Sequence, residues 1–396
     1  MQKRTLSFIL TGVIFAAVGA SAAAQRADAK FTFLPPPTGT YSVGTVVYQW
    51  TDEKRVDIVS GDPADKRQMI VQIWYPASVK PGATRAPYMP EIDVLGAAFT
   101  QGVDQLKSIV TNSYLGAPIL VGKKRFPIVV FSQGMGTPRS WYTMLMEQLA
   151  SNGYVVAAID HPYMGLVAIN GKIVRPNKGW TEPPPGGLAN ATDEERDKYW
   201  RTSFEQLSAD QRFAIDQLDS LDKHDPAGRF TTRLDLKHIG MMGHSQGFVS
   251  ETCGVDDRIK ACLNLEGVPN LTERRNGLPQ PFMTMRDGDD SPRMTTIHEN
   301  LRDVGYDILI HGAGHNSYLD DPIASSYKYS LKPDRARQII DAYMLAFFDT
   351  YLKRKRSALL EGASSAFPEV TFTEYPAKNG RGIGPSEKAL SGKNTL

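Results

Sequence analysis

Residues 236–250 read LKHIGMMGHSQGFVS, and the middle of the stretch is Gly243-His244-Ser245-Gln246-Gly247. The apolar run HIGMM precedes the first glycine, and FVSET after the second can open a helix. A Gly-x-Ser-x-Gly turn between a strand and a helix is tight and strained at its centre, and it lifts the serine oxygen above the strand end. Small flanking residues let neighbouring backbone approach. The start of the next helix adds positive partial charge nearby. The pentapeptide alone also occurs in ordinary turns and at helix caps. The strand before it makes Ser245 a candidate nucleophile.

A serine hydroxyl is a weak nucleophile and needs a base. In this arrangement the chain order is serine, acid, histidine. Three histidines lie downstream. His298, in the helix-like MTTIHENLRDVG, reads as a surface residue. His311 and His315 lie in ILIHGAGHNSYLDD. Their i, i+4 spacing suits a helical metal pair, but Gly312 and Gly314 argue against a helix there, so no metal site is expected. The strand YDILI ends at His311, which is expected to bond locally. His315 sits in the loop beyond and is the expected base. Glu266 and Asp287 end strands, with Asp289 and Asp290 just after; carboxylates at strand C-termini face the crevice of an open α/β sheet. The acid would hold the imidazole in one tautomer. Two backbone N–H groups must face the developing oxyanion. Gln246 supplies one, and Met135, in the glycine-rich loop FSQGMGTPR after an earlier strand, supplies the other.

The rest of the chain follows an α/β pattern. YSVGTVVYQWTDEKR and QMIVQIWYP read as N-terminal strands. From Phe126 short apolar strands (FPIVVFS, YVVAAID, LKHIGMMG, IKACLNLEG, PFMTMRDG, YDILIHGAG) are separated by helical or loop segments. That predicts a mostly parallel central sheet with helices on both faces and an N-terminal antiparallel extension. An insertion spans about residues 164–205, with a hairpin at Asn170-Gly171 and a Pro/Gly-rich loop. A long helix is expected over about 192–221, opened by a Thr192/Glu195 capping box, and a last one over about 334–355. Trp141, Tyr142, Tyr163, Trp180, Phe248 and Tyr318 lie near the expected mouth. Trp141, Tyr163, Phe248 and Tyr318 are the candidates for substrate contact.

The chain has 396 residues, 41% hydrophobic and 22% charged, with a net charge of +2 that gives no support to nucleic-acid binding. Residues 1–24 have a basic start (Lys3, Arg4), an apolar middle and a small-residue end, the form of a signal peptide. Export to the periplasm or the medium is expected, with no stable membrane span after cleavage. One domain, 25–375, and a polar flexible tail, 376–396, follow. Cys253 and Cys262 read as two buried small side chains, although an oxidising compartment would permit a bridge.

The segments QIWYPA, VVFSQGMG, AAIDHP, IGMMGHSQG, DRIKACLNLEG, LPQPF and HGAGHNSYLDD, in this order, resemble the platelet-activating-factor acetylhydrolase family. These are α/β-hydrolases related to dienelactone hydrolases and bacterial polyester-cleaving lipases. The resemblance covers roughly residues 41–352. It implies an α/β-hydrolase fold and a serine ester hydrolase needing no cofactor or metal, acting on a small-molecule or lipid ester. By position it matches Ser245 to the nucleophile, His315 to the base, Met135 and Gln246 to the oxyanion donors, and Glu266, in NLEG, to the acid. Asp287 is the alternative acid, since related polyesterases take theirs from the next strand end. Glu266 stands where an Asp is expected. Phe248 stands where a second Gly is common, which would narrow the approach to Ser245. Ser245 itself argues against the cysteine chemistry of dienelactone hydrolases. Short-chain carboxylic or phospholipid-type esters are the expected substrates. The alternatives are a polyester, lipase-type or amide substrate, or a catalytically silent binding protein.

Overall fold

The computed structural model describes residues 32–122, 125–182, 187–188, 190–287, 293, 296–320 and 327–378. The signal-peptide reading of 1–24, most of the tail, and Asp289 and Asp290 lie outside the described residues.

The N-terminal strands are β1 (Thr32–Phe33), β2 (Ser42–Val56), β3 (Lys66–Ala77), β4 (Arg85–Pro87) and β5 (Ile109–Leu115). The α/β part then runs β6 (Phe126–Ser132), α1 (Thr143–Ser151), β7 (Val155–Asp160), the hairpin β8 (Val167–Ile169) and β9 (Lys172–Val174), and α2 (Asp193–Lys223). It continues through β10 (Leu234–His244), α3 (Val249–Val255), β11 (Ile259–Leu265), β12 (Phe282–Arg286), β13 (Gly305–Ile310), α4 (Pro333–Lys353) and β14 (Val370–Tyr375). The main sheet has the order β1-β5-β2-β3-β7-β6-β10-β11-β12-β13-β14, with β4 on β5. From β7 to β13 every neighbour is parallel. β3 joins β7 antiparallel, β2 joins β3 antiparallel, and β14 closes the far edge antiparallel to β13. This is the α/β-hydrolase fold.

The parallel strands are apolar at nearly every position because both faces are covered. Side chains alternate between the two cores. In β6, Val129 and Phe131 join α1 and α4 on one face, while Ile128 and Val130 join α2 and α3 on the other. Helix α2 opens with the expected capping box, in which the Thr192 and Glu195 side chains exchange bonds with each other's backbone N–H. Cys253 on α3 and Cys262 on β11 form a disulfide, with Cα atoms 6.6 Å apart. This corrects the reading of two unlinked thiols. α3 packs directly on the strand that follows it, which brings the two side chains together.

Candidate active site

The strands β6, β10, β11 and β13 deliver their C-terminal ends to one crevice, as open parallel sheets do. β10 ends at His244 and the chain turns at Ser245, whose φ is +53°, a left-handed conformation uncommon outside glycine. Phe248 is left-handed too, with φ +44°. The turn is compatible only with a bare backbone at Gly247, where a Cβ would lie 2.6 Å from the Ser132 carbonyl oxygen. The Gln211 side chain donates to the Gly247 carbonyl at 2.8 Å, which ties the turn to α2.

Ser245 Oγ lies 2.9 Å from His315 Nε2. His315 Nδ1 lies 3.7 Å from Glu266 Oε2, longer than a hydrogen bond. Glu266 is the only carboxylate paired with His315 among the described residues. It is left-handed, with φ +55°, and its Oε1 accepts the Asp287 backbone N–H. Burial pushes the Glu266 carboxyl above its ordinary value, while the His315 imidazole pulls it back. His315 itself is exposed, so the imidazole stands at the open side of the crevice and the buried Glu266 carboxylate behind it.

Met135 sits between Gly134 and Gly136 in the loop after β6. The Gly136 N–H donates to the Met164 carbonyl at 2.8 Å, which pins the loop. Among the described residues no protein acceptor takes the Met135 N–H. Gln246 lies in the first turn of a 3₁₀ segment, Ser245–Gly247, so its N–H has no intrahelical acceptor.

The aromatic candidates separate. Tyr318 does not line the mouth: it is 1% exposed, with its ring beside His244 at 5.4 Å between centroids. The 3₁₀ turn His315–Tyr318 carries that ring into the core. Trp141 is half-buried against Leu34, Tyr88, Ile109 and Met144. Phe248 is half-buried, edge-on to Phe204 of α2 at 4.3 Å. Tyr163 and Trp180 meet edge to face at 6.5 Å, with the Arg67 guanidinium within 6.0 Å of both. His311 Nε2 bonds Thr371 Oγ1 at 2.8 Å, a structural role at the strand end, but with a partner 60 positions away on β14 rather than a local one. His298 is not a surface residue: it is buried, stacked on Tyr375 and bonded to Thr284. The closing strand β14, not anticipated from the sequence, supplies that cover.

Two constellations escaped sequence reasoning. In the first, Ser132 Oγ lies 2.9 Å from His161 Nε2, and His161 Nδ1 lies 2.9 Å from Asp210 Oδ2. Asp210 also receives Arg67 and Arg55. This is a serine–histidine–aspartate chain, but all three members are fully buried, so no substrate reaches it. Burial opposes ionisation of Asp210, yet Arg67 and His161 outweigh it and hold the carboxyl far below its ordinary range. A signal was present: Asp210 lies on the apolar stripe of α2 with Leu207, Ala214 and Leu218, and a carboxylate there needs a buried partner. The second constellation joins Tyr142 to His244.

The family model for platelet-activating factor acetylhydrolase, isoform II, matches residues 27–168, which include the loop that carries Met135. The chain is 24% identical over 389 residues to a platelet-activating factor acetylhydrolase of Cavia porcellus, covering 86% of this chain and 84% of that one. It is 25% identical over 420 residues to a probable 1-alkyl-2-acetylglycerophosphocholine esterase of Arthroderma benhamiae, covering 92% and 100%. Among solved structures, a ferulic acid esterase from Streptomyces cinnamoneus superposes with a TM-score of 0.72 at 26% identity, covering 87% of this chain and all of that one.

Proposed function

We propose that this relative of the platelet-activating factor acetylhydrolases, a carboxylic ester hydrolase with the α/β-hydrolase fold, cleaves short-chain carboxylic or phospholipid-type esters through an acyl-enzyme on Ser245. The observation that carries the reading is a left-handed Ser245 at a strand-to-helix turn with its Oγ 2.9 Å from His315 Nε2.

Ser245 Oγ attacks the ester carbonyl carbon as its proton passes to His315 Nε2. Glu266 holds Nδ1–H toward itself and stabilises the imidazolium that forms. The N–H groups of Met135 and Gln246 receive the negative oxygen of the tetrahedral intermediate. The C–O bond to the alcohol breaks, and His315 returns the proton to the leaving alkoxide. Water, deprotonated by His315, then attacks the acyl-serine; the bond between the carbonyl carbon and Ser245 Oγ breaks, the carboxylic acid product departs, and His315 returns the proton to Ser245 Oγ. Trp141, Tyr163 and Phe248 remain candidates to flank the acyl group. Export belongs to the same reading: residues 1–24 have the form of a signal, and a Cys253–Cys262 bridge suits an oxidising compartment. No helix of the described residues is long and apolar enough to cross a membrane.

The test is hydrolysis of p-nitrophenyl esters from acetate to palmitate, with 1-alkyl-2-acetylglycerophosphocholine and ethyl ferulate beside them. Turnover of the short chains, acetylation of Ser245 seen by mass spectrometry, and loss of both in a folded Ser245→Ala variant are expected. A preference for palmitate would shift the substrate to lipase type, and a preference for the ferulate would shift it to aryl acyl esters. Turnover that survives Ser245→Ala overturns the reading, as does a folded protein that cleaves none of these esters.

A further inference from the structure

The oxyanion loop, the nucleophile turn and the base loop come from three distant stretches of chain. One buried pair, Tyr142 and His244, touches all three. The Tyr142 hydroxyl accepts the Gly134 N–H at 3.2 Å and lies 2.9 Å from Thr137 Oγ1, so it holds both ends of the loop that carries Met135. The same hydroxyl lies 2.8 Å from His244 Nδ1. His244 Nε2 lies 2.8 Å from the backbone carbonyl oxygen of His315, and the two imidazole rings sit 4.8 Å apart. His244 directly precedes Ser245. Tyr142 is fully buried and His244 is 2% exposed.

The hydrogen-bond chemistry fixes the direction of this chain. A carbonyl oxygen only accepts, so His244 Nε2 carries the proton. In a neutral imidazole Nδ1 is then an acceptor, and Tyr142 donates to it. The hydroxyl's lone pairs remain for the Gly134 N–H and for Thr137, whose one proton is shared between the Tyr142 oxygen at 2.9 Å and the Gly134 carbonyl at 2.8 Å. Burial, reinforced by the neighbouring His315, holds His244 well below the ordinary histidine range, which keeps the ring neutral. The loop meets the pair with bare backbone: a Cβ at Gly134 would lie 2.8 Å from His244 Nδ1 and 3.0 Å from the Tyr142 oxygen.

We propose that Tyr142 and His244 are positioning residues that lock the oxyanion loop and the His315 loop to the Ser245 turn through a single neutral, Nε2-protonated tautomer of His244. The inference rests on the ester-hydrolase reading of Ser245 and His315. Neither residue touches the reacting atoms. Their effect is on registry, and a misplacement of about 1 Å between reacting groups costs on the order of 100-fold in rate.

The experiment compares kcat and KM for p-nitrophenyl acetate in the wild type, Tyr142→Phe, His244→Gln and His244→Asn, with nitrogen NMR of His244 in the wild type. A glutamine amide nitrogen falls where Nε2 stands, and an asparagine nitrogen falls where Nδ1 stands. Tyr142→Phe and His244→Asn are expected to lower kcat on the order of 10- to 100-fold with KM within about 2-fold, while His244→Gln keeps most of kcat. The NMR is expected to show Nε2 protonated and Nδ1 bare, unchanged from about pH 6 to about pH 8, where an ordinary histidine titrates. An active wild type whose folded Tyr142→Phe and His244→Asn variants keep full kcat overturns the coupling and leaves the ester-hydrolase reading standing. A folded wild type inactive on every ester overturns that reading instead. If the variants do not fold, the wild-type NMR decides: an Nδ1-protonated or titrating His244 overturns the proposal, and a fixed Nε2–H supports it.

Discussion

Glu266 reaches His315 from a strained backbone: its φ is +55°, its Oε2 lies 3.7 Å from His315 Nδ1, and its Oε1 accepts the Asp287 N–H. The two carboxylates that the sequence left as rivals are thus linked, with Asp287 offering its backbone to Glu266. The extra methylene of a glutamate is accommodated by a main chain turned into the left-handed region at the end of β11.

Glu266→Gln is therefore expected to lower kcat on the order of 1,000-fold with little change in KM, because the imidazolium loses its counter-charge. Asp287→Asn keeps the backbone N–H that Glu266 uses and is expected to stay within about 10-fold of the wild type. Steady-state kinetics on p-nitrophenyl acetate separate them. The reverse ranking would move the acid to Asp287.

Gly247→Ala places a methyl group 2.6 Å from the Ser132 carbonyl oxygen, a backbone atom that cannot swing aside. The turn must shift, at a cost of about 1–3 kcal/mol of overpacking. Activity is expected to fall further than stability, since Ser245 lies two residues away. Thermal unfolding and kcat on the same preparation measure both. A variant with wild-type kcat would show that the turn tolerates displacement.

Asp210→Asn removes the anion that Arg67, His161 and Arg55 share. Arg67 is 1% exposed and keeps only Asp57, 3.5 Å from its Nη1, so a buried charge loses its closer counter-ion. Breaking a buried pair in this way costs about 3–5 kcal/mol. Urea unfolding measures it; a loss below about 1 kcal/mol would mean that the network adds little to stability.

Glu147 of α1 is buried, its Oε1 accepts Ser113 Oγ at 2.6 Å, and burial raises its carboxyl to about 7. A carboxyl raised in the folded state favours folding while protonated. Its contribution is full below the unfolded value near 4.5 and is lost as pH rises through about 7. The shift corresponds to about 3 kcal/mol. Asp320, raised to about 6 by burial, acts in the same sense. Stability is expected to decline from pH 5 to 8, and Glu147→Gln is expected to flatten that slope. Melting curves across the range test this, and an unchanged slope would exclude Glu147 as its source.

What could be read from the sequence was periodic and local. Apolar runs between helical segments announced the parallel sheet, since strands covered on both faces must be apolar throughout. Gly243-x-Ser245-x-Gly247 announced a tight turn, Thr192 and Glu195 announced the start of α2, and Asn170-Gly171 announced a hairpin. Each of these depends on residues within a few positions of one another. The tertiary structure decided what depends on contacts between distant stretches. It set Glu266 rather than Asp287 beside His315, and it buried His298 under β14 and Tyr318 behind His244. It also joined Cys253 to Cys262 and closed Ser132, His161, Asp210 and Arg67 into one charge network. Side chains such as Tyr142 and His244 lie 102 positions apart and acquire a common proton only when the sheet brings them to 2.8 Å. A hydrogen bond has a range of a few ångströms, and sequence spacing does not carry that distance until the chain has folded.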